Sequence, residues 1–306
     1  MTLDRYAGVV DDHEAFVEAC DRPLPRTGRV NRVKSSFGEV RDALTDAGFG
    51  VERLGWFEDG FRIEEPDGAK VGNTLPHHLG WMAVQEEVSM LPPVVLGDAA
   101  GPSLGSALVL DVCAAPGSKT TQVAADAAGV VANDDNVGRI AALRNNTDRL
   151  GLTNVAVTSY DGRRFPGAQA FDAALVDVPC TSEGTVRKNP EHGEGTVPDD
   201  ERASTVAVQK GILSRALGLV RDGGRVVYST CTFAPEENEA VVDHAVRNGD
   251  ARVLPFDTGL DASPGVTDWR GEVYADDVRR TRRYYPHQND TGGFYVALLE
   301  PTTGDD

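Results

Sequence analysis

Short apolar runs alternate with helical patterns over the last two thirds of the chain. Seven runs rich in valine, leucine and alanine predict strands, at residues 107–112, 129–134, 154–161, 170–180, 223–232, 251–256 and 292–300. Apolar residues at helical spacing fill the intervals, at 118–128, 137–151, 200–220 and 235–246. Near-continuous apolar strands that alternate with helices are typical of a mostly parallel sheet with both faces covered. The pattern predicts an α/β domain with a seven-stranded sheet.

The first 76 residues follow a different pattern. Residues 11–22 and the stretch after Ser36 have the spacing of short helices. Residues 51–65 alternate on both sides of a turn at 58–60, which predicts a hairpin. These elements indicate a small α/β unit.

The connection to the larger domain is rich in turn-forming residues. Residues 68–76 have the composition of a linker, 77–90 have helical spacing, and a proline- and glycine-rich stretch follows at 92–106. We therefore expect a small N-terminal α/β unit at 1–76 and a larger domain at 77–306.

Acidic residues outnumber basic ones along the whole chain. Asp and Glu number 48 against 30 Lys and Arg, which gives a formal net charge of −18 and a pI near 4.7. Lysine occurs only at Lys34, Lys70, Lys119, Lys188 and Lys210. Even acidity with scarce lysine is typical of a halophilic surface that stays hydrated at about 1 M salt, where charges are screened within about 3 Å. The alternative is an acidic surface that avoids nucleic acid, because phosphate binding needs basic groups.

No run of 18 or more apolar residues occurs, and residues 1–20 carry acidic residues throughout. We therefore expect a soluble, cytoplasmic protein with no membrane partner. The cysteines at 20, 113, 180 and 231 form no C-x-x-C pair, so the sequence predicts neither a structural zinc site nor a disulfide framework. We expect free thiols, no metal and a monomer.

The junction at 107–122 predicts a strand, a tight loop and a helix. An apolar run ends at Asp111, a turn of small residues follows from Cys113 to Gly117, and a helical pattern begins at Ser118. Small residues let a ligand approach the backbone at such a junction. The turn indicates a cofactor site, although an ordinary strand-to-helix turn is the alternative.

Polar and thiol side chains follow several predicted strands. Asp134, Asp161 and Asp177 end three of them, and Cys180 and Cys231 follow two neighbouring strands. Ligands of parallel sheets bind at the carboxyl ends of the strands. Asp134 can accept the hydroxyl groups of a ribose, and Asp161 can meet an adenine amino group. Helix capping is the alternative role for each aspartate.

Three motifs occur in order along the chain. The first is Asp-Val-Cys-Ala-Ala-Pro-Gly-Ser-Lys ending at Lys119, the second is Asp-Val-Pro-Cys-Thr-Ser-Glu-Gly-Thr-Val-Arg-Lys-Asn-Pro ending at Pro190, and the third is Ser-Thr-Cys-Thr-Phe-Ala-Pro-Glu-Glu-Asn-Glu ending at Glu239. With Arg-Val-Asn-x-x-Lys ending at Lys34 and a closing Gly-Gly-Phe-Tyr, they resemble the NOL1/NOP2/sun family of RNA cytosine-C5 methyltransferases. The resemblance covers nearly the whole chain.

This resemblance implies a Rossmann-like class I methyltransferase fold and S-adenosylmethionine as the cofactor. The expected cofactor site comprises Cys113, Ala114, Ala115, Pro116, Gly117, Ser118, Lys119, Asp134, Arg139, Asp161 and Asp177. Arg139 enters this set only because the family places a cofactor-side residue there.

The resemblance also implies the catalytic residues. Cys231 is the expected nucleophile at C6 of cytosine, Cys180 is expected to assist release, and Asp177 is expected to bind the N3 and N4 edge. Lys119 is expected to hold that carboxylate or to lower a thiol pKa. The sequence departs from the family at Thr232, where serine is commoner, and at residues 181–182, where Thr-Ser replaces Ser-Gly or Ser-Cys. These departures leave the shape of the cytosine pocket open.

The expected partner is RNA, with tRNA favoured and rRNA as the alternative. A basic cluster, Arg26, Arg29, Arg32 and Lys34, suggests phosphate contact, although solvated arginines on an edge strand would give the same pattern. A ribose 2′-O-methyltransferase would need a lysine-centred base and no thiol pair. A DNA cytosine methyltransferase would use the Pro-Cys thiol and would not need Cys231. A non-catalytic RNA-binding scaffold is the alternative outside the enzymes.

The acidic composition leads to a first prediction. We expect low ionic strength to destabilise the folded state, because the net charge of −18 repels itself. Molar KCl should raise the melting temperature by screening that repulsion. Thermal melts across a KCl series measure the effect, and a melting temperature independent of salt would contradict the halophilic interpretation.

Overall fold

A computed structural model of the chain describes residues 2–99, 104–193 and 197–302. Helix α1 (His13–Cys20) comes first, and α2 (Phe37–Asp46) begins with a capping box between Ser36 and Glu39, which confirms Ser36 as a cap. Four strands of this part of the chain, β1 (Arg26–Val30), β2 (Gly50–Arg53), β3 (Gly60–Glu64) and β4 (Met82–Val84), form a small antiparallel sheet. Their order in the sheet is β2-β3-β1-β4.

A larger sheet lies in the remainder of the chain. Its strands are β5 (Leu108–Asp111), β6 (Gly129–Asn133), β7 (Val155–Thr158), β8 (Phe171–Asp177), β9 (Val220–Thr230), β10 (Ala251–Leu254) and β11 (Ser263–Pro264), and, after a separate hairpin of β12 (Asp268–Trp269) and β13 (Glu272–Val273), β14 (Arg282–Tyr284) and β15 (Phe294–Pro301).

The other helices lie between these strands. The α-helices are α3 (Leu75–His78), α4 (Leu91–Ala99), α5 (Ser118–Val123), α6 (Val137–Leu150), α7 (Asp199–Leu217), α8 (Glu239–Arg247) and α9 (Pro286–Asn289). Short 3₁₀ helices occur at Thr2–Tyr6, Val71–Asn73, Val88–Met90, Leu104–Ser106, Gly162–Arg164, Glu183–Thr185, Pro190–Gly193 and Asp276–Arg280. In the part of the chain described, no helix is long and apolar enough to cross a membrane.

The large sheet has a parallel centre and an antiparallel edge. Strands β7-β6-β5-β8-β9 are parallel, β15 runs antiparallel to β9, and both β10 and β14 pair with β15. This topology confirms the predicted α/β fold, and every predicted strand is present. The additional strands β11 and β14 have only two and three residues, too few to show a period in the sequence.

The prediction of one helix at 77–90 was wrong. Residues 77–90 do not form one helix, because β4 pairs with the edge of β1, with Val84 opposite Gly28. The proline- and glycine-rich stretch contains α4, which begins at Leu91 and carries Pro92 and Pro93 in its first turn. Proline is tolerated there because the amide groups of a first helical turn have no partner within the helix. The pairing of β4 with β1 and the start of α4 at Leu91 therefore decided the structure here, although the local sequence pattern indicated a helix at 77–90.

The N-terminal residues pack on the larger domain and not on the small sheet. Tyr6 and Phe16 are buried, and their rings lie 5.7 Å and 5.0 Å from the ring of Phe233. In the other direction, β4 extends the small sheet beyond residue 76. The division at residue 76 stays a prediction. The small sheet includes β4, which lies after residue 76, and the larger domain is packed by Tyr6 and Phe16, which lie before it.

The segment from Arg29 to Lys34 joins the small sheet to the large domain. Arg29 is only 2% exposed and donates to Gln85 Oε1 at 2.8 Å and to Thr121 Oγ1 at 2.7 Å. Asn31 Nδ2 donates to the carbonyl oxygens of Gly80 and Leu150, both at 2.8 Å. These bonds connect β1 to the helices α5 and α6.

The predicted RNA-contacting cluster therefore needs correction. Arg29 cannot bind a phosphate, because its guanidinium is buried and forms hydrogen bonds inside the protein. Arg32 forms ion pairs with Asp59 at 2.7 Å and Asp126 at 2.6 Å, and Lys34 Nζ donates to the carbonyl oxygen of Arg149 at 2.7 Å. Arg26, which lies 3.8 Å from Glu65, Arg32 and Lys34 are exposed, so their contact with RNA stays a prediction.

The asparagine at this junction leads to a second prediction. Asn31→Ala should lower the free energy of unfolding by about 2–4 kcal/mol, because two buried carbonyl groups lose their donor. Urea unfolding followed by circular dichroism measures the change. Arg41→Ala, at an exposed ion pair with Asp42, is the control and should change the value by less than about 0.5 kcal/mol. Equal stability of the Asn31 variant and the wild type would contradict the prediction.

Candidate active site

Two thiols meet at the carboxyl ends of β8 and β9. These strands pair in parallel with Asp177 opposite Ser229, so the segments after them leave the sheet at the same edge. Cys180 Sγ lies 3.4 Å from Cys231 Sγ. The structure thus brings together the two cysteines that the sequence motifs singled out.

The two sulfurs have pKa shifts in opposite directions. A hydrogen bond from the Cys180 thiol lowers the pKa of Cys231 against the effect of burial, and the charge of Lys119 adds to the lowering. The pKa of Cys180 is raised well above its usual range by that same hydrogen bond and by burial. Cys231 is therefore the sulfur that ionises first, and the thiolate is the nucleophilic form of cysteine.

Lys119 and Asp177 form an ion pair beside the thiols. Lys119 Nζ lies 2.6 Å from Asp177 Oδ2 and donates to Ser89 Oγ at 3.1 Å, while Ser229 Oγ donates to Asp177 Oδ1 at 2.8 Å. Burial alone would lower the pKa of Lys119, but the charge of Asp177 and the hydrogen bond to it raise the pKa overall. Lys119 therefore stays protonated and acts as a fixed positive charge.

The loop at 113–117 is held from inside the sheet. The amide of Ala114 donates to the carbonyl oxygen of Asn133 at 2.7 Å, and the amide of Ala115 donates to Asp134 Oδ2 at 3.0 Å. Gly117 has a φ of 102°, and a Cβ there would lie 2.7 Å from Leu143 Cδ1, so only glycine fits. The loop therefore passes tightly between β5 and α6.

A buried carboxyl group lies under this loop. Asp111 Oδ2 accepts a hydrogen bond from Thr120 Oγ1 at 2.6 Å, while Oδ1 has no partner among the described residues. Burial raises the pKa of Asp111 to about 7. A buried acceptor without a partner leaves one hydrogen bond for a ligand to make.

The other acidic strand ends differ in their surroundings. Asp134 is buried, and Arg139 lies 3.5 Å from its Oδ2 and donates to the carbonyl oxygen of Ala115. Asp161 instead caps a 3₁₀ turn and forms an ion pair with Arg163 at 2.6 Å, and the hydrogen bond from Arg163 lowers its pKa. The predicted contact of Asp161 with an adenine stays a prediction.

The closing glycines pack against the cysteine loop. The amide of Gly184 donates to the carbonyl oxygen of Cys231 at 2.9 Å, and the amide of Gly293 donates to that of Gly184 at 2.8 Å. A Cβ on Gly184 would lie 2.4 Å from the carbonyl oxygen of Gly293. Three distant segments therefore approach backbone to backbone behind the thiols.

A buried ionic cluster, missed in the sequence, supports both cysteine segments. Arg202 on α7 lies 3.0 Å from Glu183 and 2.7 Å from Glu237. Glu237 also accepts from the amide of Thr181 at 3.0 Å and from its hydroxyl at 2.6 Å, and Glu183 accepts from Thr232 Oγ1 at 3.0 Å. The cluster could not be identified from the sequence, because nothing in the pattern of α7 marks Arg202 as buried.

Family models match most of the chain. Residues 103–300 match 16S rRNA methyltransferase RsmB/F, and residues 4–87 match the N-terminal domain of 16S rRNA methyltransferase RsmF. The chain belongs to the RsmB/F methyltransferase family. This membership confirms the family that the motifs predicted.

Individual relatives of this RsmB/F-family chain agree with the assignment. Ribosomal RNA small subunit methyltransferase F of Klebsiella pneumoniae (strain 342) is 37% identical, over 95% of this chain and 60% of that protein. The tRNA (cytosine(49)-C(5))-methyltransferase of Pyrococcus abyssi (strain GE5 / Orsay) is 36% identical, over 97% of this chain and 94% of that protein. A methyltransferase homologue from Pyrococcus horikoshii of known crystal structure is 31% identical, with a TM-score of 0.83 over 98% of this chain and 94% of that one.

The RsmB/F-family site fits S-adenosylmethionine. Val137, the first residue of α6, and Tyr160, just after β7, are 72% and 48% exposed, and such apolar side chains suit a flat purine. Asp134 directly follows β6 and offers acceptors for ribose hydroxyls. In the described chain, no group of three His, Cys, Asp or Glu side chains is placed to hold a metal ion.

Proposed function

We propose that this chain methylates carbon 5 of a cytosine in RNA, with S-adenosylmethionine as the methyl donor. The observation that carries the proposal is the Cys231–Cys180 pair beside the Lys119–Asp177 ion pair. Methylation at C5 needs a nucleophile that adds to the ring and a second group that helps restore it. Two adjacent thiols with opposite pKa shifts meet both needs.

Cys231 acts first in this scheme. Its thiolate adds to C6, a C–S bond forms, and the electron pair of the C5–C6 double bond makes C5 nucleophilic. Asp177 accepts a hydrogen bond from the exocyclic amino group, and the fixed charge of Lys119 stabilises the negative charge that develops on the ring. S-adenosylmethionine, when bound, supplies an electrophilic methyl group.

Cys180 acts on release. The methylated C5 still carries its proton, which must leave before the C–S bond can break, and we assign this step to Cys180. Once Cys231 is bonded to carbon it no longer accepts the hydrogen bond that raises the pKa of Cys180, so Cys180 loses its own proton to water and its thiolate accepts the proton from C5. The electron pair of the C5–H bond then reforms the C5–C6 double bond, and the electrons of the C–S bond return to the sulfur of Cys231. The ring is aromatic again and the enzyme is regenerated.

The site argues against two alternatives. A ribose 2′-O-methyltransferase needs a lysine that can lose its proton, whereas the pKa of Lys119 is raised by Asp177. A scaffold without activity would have no use for a thiol whose pKa is lowered, and pKa shifts of this kind cluster at catalytic sites.

A cleft beside the cysteine segment supports an RNA path that differs from the predicted basic cluster. The cleft has a volume of about 350 Å³, and its lining includes Arg26, Thr27, Glu86, Arg187 and Lys188. Lys188 is exposed and forms no ion pair within the described chain, and it lies eight positions after Cys180 in the same segment. In so acidic a protein, an exposed cation without an ion pair in this cleft is a suitable contact for a phosphate.

The proposal extends to tRNA as the substrate. Its support is the coverage of the relatives, because the chain matches 94% of the Pyrococcus abyssi tRNA enzyme but only 60% of the Klebsiella ribosomal enzyme. Ribosomal RNA is the alternative substrate. We further propose that the protein is cytoplasmic, halophilic and monomeric. The acidic composition supports the halophilic part of this proposal.

The two thiols should not be interchangeable, which is the third prediction. Cys231→Ala should abolish methyl transfer and covalent attachment to RNA, because no nucleophile remains. Cys180→Ala should still add to RNA and then stall as a covalent adduct. Denaturing electrophoresis with labelled RNA separates the two results, and Cys20→Ala, a buried thiol on α1, is the control. Adduct formation by the Cys231 variant instead of the Cys180 variant would reverse the roles.

The substrate proposal gives the fourth prediction. Unmodified tRNA transcripts should accept methyl groups from labelled S-adenosylmethionine at high salt, whereas ribosomal fragments should not. Incorporation into ribosomal RNA alone would contradict the tRNA proposal and leave the cytosine chemistry intact.

A tRNA-binding assay across a salt series tests the cleft. Lys188→Ala should weaken tRNA binding at every sequence about equally and reduce the slope of log affinity against log salt by about one. Arg41→Ala removes a cation that already pairs with Asp42 and should leave the slope unchanged. Equal slopes for the two variants would exclude Lys188 as a phosphate contact.

A further inference from the structure

Ser182 holds a backbone conformation that its side chain makes unfavourable. Its φ is 59°, in the left-handed region where a Cβ crowds the backbone and glycine is preferred. Only three non-glycine residues of the described chain have a positive φ, and the other two, Arg270 and Asp290, lie away from the thiols in sequence. A strained residue retained inside a site points to a function for its side chain.

The carbonyl group of Ser182 is braced in this conformation. It accepts hydrogen bonds from the Thr185 amide at 2.9 Å and from Thr185 Oγ1 at 2.8 Å, and His192 Nδ1 lies 3.2 Å away. His192 Nδ1 also lies 2.8 Å from Thr185 Oγ1. These contacts hold the backbone of Ser182 and so fix the direction of its Cα–Cβ bond.

The side chain points at both sulfurs. Ser182 Oγ lies 3.6 Å from Cys231 Sγ and 3.9 Å from Cys180 Sγ, within hydrogen-bond reach for sulfur. Its remaining neighbour is the carbonyl oxygen of Cys180 at 3.3 Å. A hydroxyl rotates freely and can accept a proton from a thiol or donate one to a thiolate.

We propose that Ser182 is a positioning residue for the nucleophile, whose hydroxyl donates a hydrogen bond to Cys231 when that sulfur ionises and accepts one when it does not. The inference deepens the proposed function, on which it rests. Hydrogen bonds to a charged group are stronger than those between neutral groups, so the hydroxyl stabilises the thiolate more than the thiol. Ser182 thereby favours the reactive form of Cys231.

Other groups also face Cys231 and act independently of Ser182. Cys180 donates from the β8 side and Lys119 contributes positive charge from α5, whereas Asp177 opposes ionisation. Glu237 acts on Cys180, and His192 reaches the site only through the backbone of Ser182. Removing the hydroxyl should therefore weaken the thiolate without abolishing it.

The test uses the full chain without RNA or cofactor. Iodoacetamide alkylation of Cys231, followed by peptide mass spectrometry from pH 5 to pH 10, gives the pH midpoint of its ionisation. Ser182→Ala should raise this midpoint by about one pH unit, which is about tenfold slower alkylation at pH 7. An unchanged midpoint would overturn the proposal.

Ser182→Gly separates the hydroxyl from the backbone strain. It should raise the midpoint as the alanine variant does, but it should melt at a higher temperature than that variant because glycine accepts a positive φ. Arg270→Gly is the matched control, since it relieves the same strain on an exposed turn and should leave the midpoint unchanged. A shift in the alanine variant alone would assign the effect to the backbone and overturn the proposal.

The outcome is distinct from that of the proposed function. Alkylation requires neither methyl transfer nor RNA, so a shifted midpoint in a chain that fails to methylate any RNA would reject the proposed function and support Ser182 as a group that favours the thiolate. Methylation of RNA by the chain, together with an unshifted midpoint in the Ser182 variants, would support the proposed function and reject the role of Ser182.

Discussion

A single buried arginine connects the two segments that carry the thiols. Arg202 lies between Glu183, in the segment after β8, and Glu237, in the segment after β9. Strand pairing positions these residues only as far as Asp177 on β8 and Thr230 on β9. Glu237 accepts a hydrogen bond from the Thr181 side chain, and Glu183 accepts one from Thr232. The ion pairs of Arg202 therefore position the residues next to the two sulfurs, beyond the ends of the strands. Removing one member of such a cluster leaves a buried charge without a partner, a loss of about 3–5 kcal/mol.

Charge is used differently inside this protein and on its surface. The surface is acidic, and several exposed arginines are paired with carboxylates, as Arg32 is with Asp59 and Asp126. Buried positive charges are paired as well, as Arg202 is with Glu183 and Glu237, Arg283 with Glu239 and Lys119 with Asp177. A fixed cation next to a thiolate has a large effect where water is excluded, because the local dielectric constant is low. The net charge of the chain therefore says little about its active site.

The chemistry of the site rests on asymmetry between two identical side chains. Cys180 and Cys231 differ because one donates a hydrogen bond and the other receives it, and because Lys119 acts on Cys231. The pKa of Cys231 falls and that of Cys180 rises as a result. Position on neighbouring strands, and not the thiol itself, decides which sulfur ionises first.

Much of the protein follows from its sequence. Apolar periodicity predicted the strands of the parallel sheet, since a strand buried on both faces must be apolar throughout. The motifs ending at Lys119, Pro190 and Glu239 predicted the family and named both thiols, because reactive groups occupy the ends of those strands. Tertiary structure decided the rest. Burial of Arg29, pairing of β4 with β1, the start of α4 at Leu91 and the Arg202 cluster all depend on contacts between residues distant in sequence. A local pattern records how polar a residue is, but it does not record which partner can satisfy that residue away from water.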